Sequence, residues 1–106
     1  MEKGNLLSAI PAKLSDEVFE VLAGNDSLKI ERIISKGHTS PESGWYDQQS
    51  SEWVMVVQGS AKIEFENGPV VSLGEGDYVD IPAHLRHRVI ETSTDPETIW
   101  LAIHYC

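Results

Sequence analysis

Cysteine is nearly missing from this chain: Cys106, the last residue, is the only one, which excludes an intrachain disulfide framework. Basic residues are scarce as well, eight Lys and Arg against seventeen Asp and Glu, for a formal net charge of −9. That balance argues against nucleic acid and against anionic membrane surfaces, both of which draw on clustered Lys and Arg. It keeps a protein in solution without needing any partner. Long apolar runs are lacking: no stretch nears the ~18 residues of a membrane helix. The opening MEKGNLLSAIPAKLSDEVFEVL carries Glu and Asp where a signal peptide needs an unbroken apolar run. These absences predict a cytoplasmic protein. There is also no phosphate-binding glycine loop, no nucleophile elbow and no Cys-x-x-Cys pair, so catalysis by a serine or cysteine nucleophile has no support.

What the sequence does have is a series of short β-type runs. Its 106 residues suffice for a single domain. Ser15 to Leu22 suits a short helical turn, with Ser15 as N-cap and Asp16 and Glu17 at the helix N-terminus. Residues 1–27 are accordingly expected to be a helical or irregular segment packed on a barrel formed by 28–106. From Leu28 onward the pattern changes. LKIERIIS (28–35), EWVMVVQ (52–58) and the alternating AKIEFE (61–66) are followed by runs at 70–73, 77–81, 87–92 and 99–105. Turn signals separate them, among them Gln58-Gly59-Ser60, Asn67-Gly68-Pro69 and Gly74-Glu75-Gly76. Seven short strands so spaced predict an all-β sandwich or barrel, and periodicity alone does not choose between the two.

Two segments sharpen the choice. Glu52 is followed, after six residues of apolar strand, by Gly59; Gly76 is followed, after five residues, by Pro82, and the run GDYVDIPAHLRH ends on His87. These resemble the two halves of the cupin signature, and GWYDQ (44–48) and WLAIHY (100–105) resemble a subgroup of small bacterial cupins of unassigned activity. The resemblance implies an antiparallel cupin β-barrel of the jelly-roll type with a pocket inside it. The residues support it independently. Gly59 and Gly76 suit turns that need φ > 0, and Pro82 suits a strand end. Strand alternation puts Glu52, Val54 and Val56 on one face and Trp53, Met55 and Val57 on the other. If the first face lines the barrel, Glu52 enters the interior, where His87 could meet it.

Metal-binding cupins resemble one another in a His-x-His pair upstream of the glutamate. Here the corresponding positions fall on Trp45 and Asp47, on Tyr46 and Gln48, or on Ser43 and Trp45, and none is histidine. His84, at a turn position where the family usually has glycine, offers compensation. Glu52, His84 and His87, with Asp47 as a further ligand or general base, would form a facial set suited to a divalent transition metal such as Fe, Mn, Ni or Zn. Trp45, Tyr46 and Gln49 would then line a small-molecule pocket, or Trp45 and Tyr46 would plug the barrel end. The plainer alternative makes His84 an exposed turn residue, His87 a hydrogen-bonded barrel residue and Glu52 the partner of Arg86 or Arg88. His38 is expected on the surface, and His104 in a packed or surface role. Two functions follow: a metal-dependent binding protein or enzyme acting on a small molecule, or a metal-free small-ligand or sensor module. With either, the outward strip of Trp53, Met55 and Val57 predicts a homodimer.

Overall fold

Why the chain is all-β is visible in its hydrogen bonding: every long apolar run finds an antiparallel partner. The computed structural model describes residues 1–41 and 43–106. Eight strands follow in order: β1 (Val18–Asn25), β2 (Leu28–Ser35), β3 (Ser51–Gln58), β4 (Ala61–Phe65), β5 (Val70–Leu73), β6 (Tyr78–Ile81), β7 (His87–Thr92) and β8 (Thr98–Tyr105). They form a five-stranded sheet, ordered β1-β2-β8-β3-β6, and a three-stranded sheet, ordered β5-β4-β7. No helix occurs among the described residues, so none is long and apolar enough to cross a membrane.

The inner faces of the two sheets meet in one core. Ile33, Val54, Val56, Ile81, Trp100 and Ala102 come from the larger sheet, and Ala61, Ile63, Phe65 and Leu73 from the smaller. On β3 the alternation is as the sequence predicts: Glu52, Val54 and Val56 are buried, while Trp53, Met55 and Val57 are half-buried on the other face. Trp53 packs on Tyr78 of the neighbouring strand, their ring centroids 5.1 Å apart.

The expected helical turn at 15–22 is a correction: β1 occupies most of it, paired with β2 through a two-residue turn at Asp26-Ser27. The capping signal there is sound, but an isolated two-turn helix is marginal in water. Val18, Phe19 and Val21 have β-type side chains, and β2 offers an unpaired edge, so tertiary pairing overrides the local preference. Residues 18–25 thus belong to the larger sheet. The first residues fold back on it, with Arg32 Nη1 donating to the carbonyls of Leu6 (3.0 Å) and Ser8 (2.6 Å).

Gly59 and Gly76 turn the chain with φ of 84° and 88°, as predicted. A Cβ at Gly59 would lie 2.4 Å from Ser93 Oγ and 3.0 Å from the Glu97 carbonyl, so β3 and β4 can be joined there only by glycine.

Candidate functional site

The inner face of the larger sheet is apolar at its centre, and at one end three titratable side chains replace the aliphatic ones. Glu52 stands opposite His104 across the β3–β8 ladder, and Glu31 lies opposite Ala102 across the β2–β8 ladder. Period-two alternation therefore puts Glu31, Glu52 and His104 on one face. His87 faces them from the first position of β7 in the smaller sheet.

The contacts form an alternating chain. His104 Nε2 lies 2.9 Å from Glu31 Oε1 and 3.8 Å from Glu52 Oε2, and Glu52 Oε1 lies 3.6 Å from His87 Nε2. All four are largely withdrawn from water, with side-chain exposures between 6% and 14%. Two buried carboxylates would be costly alone; alternation with two imidazoles, and the Lys29 ammonium 3.7 Å from Glu31, make their burial tolerable. Neither arginine weighed as a partner for Glu52 reaches it, since Arg86 pairs with Glu66 and Arg88 with Glu64.

The His87 ring is fixed from behind. Its Nδ1 lies 2.9 Å from the Leu85 carbonyl, so Nδ1–H donates there and Nε2 is the atom turned to Glu52. Burial alone would lower its pKa, but the Glu52 carboxylate 3.6 Å away and the hydrogen bond to the Leu85 carbonyl outweigh burial and raise it above 6.5.

Residues 36–41 and 43–50 bring one more side chain to the site. This loop runs along β7: Ser40 N donates to the Val89 carbonyl (2.9 Å), and Tyr46 and His87 exchange backbone bonds of 2.8 and 3.2 Å. Tyr46 is thereby placed beside His87, with ring centroids 5.7 Å apart. Behind Tyr46 lies a cavity of about 60 Å³ whose lining includes Glu52, Glu17, Ile33, Ile63, Val89 and Trp100. Among the described residues Phe19 and Tyr46 are the two exposed members of the lining and mark its entrance. Glu17 accepts a hydrogen bond from Ser35, whose Oγ accepts in turn from Trp100 Nε1 at 3.2 Å.

The other sequence-predicted residues lie elsewhere. His84 Nδ1 is 2.8 Å from Asp47 Oδ1, in a pair whose side chains are 65% and 48% exposed. His84 adopts φ of 65°, the left-handed conformation that glycine would favour at this turn. Trp45 lies under the Arg88 guanidinium, 4.3 Å from it, and Gln49 is exposed; neither lines the cavity. The expected metal set thus separates into an inner pair, Glu52 with His87, and an outer pair, Asp47 with His84. Among the described residues no three His, Cys, Asp or Glu side chains gather as ligands of one ion. The donors present do not fit the facial set.

Four contributors went unassigned in the sequence: Glu31, His104, Glu17 and Phe19. For His104 a signal existed, since it is polar on a largely apolar strand, in phase with Trp100 and Ala102; for Glu31 none did, because its own phase on β2, Lys29, Glu31, Ile33 and Ser35, is mostly polar. Glu17 and Phe19 had none, because the segment 15–22 was expected to be a helical turn.

Residues 30–104 match the family model described as a cupin domain. A proposed mannose-6-phosphate isomerase from Ralstonia eutropha JMP134 superposes with a TM-score of 0.95 at 46% identity, over 99% of this chain and 98% of that one. A cupin superfamily protein from Desulfitobacterium hafniense DCB-2 gives 0.79 at 21% identity, over 99% and 92%. An RmlC-like cupin from Desulfovibrio desulfuricans gives 0.78 at 18%, over 99% and 96%. The latter two likenesses concern the fold alone. Among curated proteins, none matches the chain.

Proposed function

This chain belongs to the cupin family, and we propose that it binds a small organic molecule in the barrel cavity through the acid–base pair Glu52–His87, without a metal. The observation that carries this is the setting of Glu52: a buried carboxylate on the wall of a largely apolar cavity, with an imidazole on either side. Such a carboxylate can accept a proton from a bound molecule, and His87 Nε2 can receive that proton in turn or hold Glu52 ionised. The Leu85 carbonyl keeps Nε2 pointed at the pair.

Whether the pair only binds or also catalyses, its chemistry is proton transfer at Glu52. The Ralstonia relative is described as a proposed isomerase of a sugar phosphate. A phosphate calls for a cationic seat, and among the described residues no Lys or Arg lines the cavity, which favours a molecule without one.

Thermal unfolding of the native protein and of His87→Ala with Fe(II), Mn(II), Ni(II) and Zn(II) tests the metal-free account. Ligand binding to the native state raises Tm by mass action. The expected result is no His87-dependent rise with any of the four; a rise that His87→Ala abolishes would replace this proposal with a metal centre.

The outward face of the larger sheet supports pairing of two copies. Tyr78, 62% exposed, stacks on the half-buried Trp53 strip and extends it. Sedimentation velocity is expected to give a dimer; a monomer at all concentrations would exclude it.

A further inference from the structure

The charge and shape of the cavity narrow the molecule it would take, given the site proposed above. Among the described residues two carboxylates, Glu17 and Glu52, line it, and no Lys or Arg does. His87 balances Glu52 from beside the lining, whereas Glu17 has only the neutral Ser35 hydroxyl as hydrogen-bond partner among the described residues. The rest of the wall is aliphatic and aromatic. An anion entering would be repelled and desolvated together; a cation would replace its water with carboxylate oxygens.

Size divides the ligand in two. About 10–15 Å³ of such volume admits one water, so about 60 Å³ admits a head group of a few heavy atoms and not a ring. At the entrance stand two aromatic side chains from different elements. Phe19, on β1, is paired with Ile33 and so shares its inward face, yet it is 56% exposed. Tyr46, on the 43–50 segment, is 41% exposed. Exposed aromatics at the opening of an acidic cavity make a seat for a flat ring whose charged substituent points inward, where ring contacts and cation–π attraction add to the ion pair.

We propose that the site takes a primary amine or amidine carried on a flat ring, the cationic head reaching Glu17 and Glu52 and the ring held at Phe19 and Tyr46. Phe19 is then a specificity residue contributed by the strand that the sequence pattern concealed.

The test uses four probes on ¹⁵N-labelled full-length protein: benzylamine, benzamidine, benzoate and benzyl alcohol. The amine and the amidine are expected to shift the amide resonances of Phe19, Tyr46 and Glu52, with benzoate silent. Phe19→Ala, a surface truncation, is expected to weaken benzylamine about 2- to 10-fold. Glu17→Gln is expected to weaken it about 10-fold or more. Equal or tighter binding of benzoate or benzyl alcohol at Glu52 would overturn the cationic class while leaving the site in place. Benzylamine binding that Phe19→Ala and Tyr46→Ala both leave unchanged would overturn the aromatic seat. If none of the four moves Glu52 or His87, the class and the underlying site fall together.

Discussion

The carboxylate of Glu52 is shared between two imidazoles, its Oε1 3.6 Å from His87 Nε2 and its Oε2 3.8 Å from His104 Nε2. The two histidines come from different sheets, so one side chain on β3 couples both halves of the barrel.

That coupling has a sign in pH. Because the folded pKa of His87 lies above its unfolded value of about 6.5, its protonated form stabilises the fold. The contribution is fully present below about pH 6.5 and is lost as pH rises through the folded value. Urea unfolding of the native protein and of His87→Gln at matched pH values is expected to show their stability difference shrinking as pH rises across that window. A difference that grows with pH would contradict the protonated pair.

Removing half of the neighbouring pair should be costly. His104→Ala leaves Glu31 and Glu52 buried with one imidazole fewer, and breaking a buried pair typically costs ~3–5 kcal/mol. The double variant Glu31→Leu/His104→Phe, which removes both partners together, is expected to recover most of that loss. Chemical denaturation of the two variants checks the order; a single variant no less stable than the double would refute it.

The two turn glycines are predicted to differ. Gly76→Ala meets nothing within 4 Å and should cost only the left-handed backbone penalty, about 1–2 kcal/mol. Gly59→Ala adds a clash with Ser93 and with the Glu97 carbonyl, and should cost distinctly more. Their Tm values, measured side by side, decide this.

Most of the barrel was legible because its strands repeat at period two and are closed by Gly, Pro and Asn turns. Strands β2 to β8 fall within a residue or so of the runs read from sequence. Strand β1 was not, because Ser15, Asp16 and Glu17 supply a helix start whose fate depends on the unpaired edge of β2, a tertiary fact. Glu52 and His87 were legible from alternation and from the turn at Pro82. The outer pair was not: separation by thirty-seven positions says nothing of whether Asp47 turns toward His84 or toward Glu52, and the structure places it 2.8 Å from His84. Gln49 and Trp45 misled for a related reason, since a loop has no fixed period from which to read which side chains face inward.

The acid–base pair is tested most directly by titrating the His87 imidazole by NMR in the native protein and in Glu52→Gln. Glu52 is the main opponent of the burial that would otherwise depress this histidine. The account predicts a pKa above 6.5 in the native protein that falls toward or below 6.5 in the variant. The same pKa in both, or a native value already below 6.5, would contradict a Glu52–His87 pair at the heart of the site.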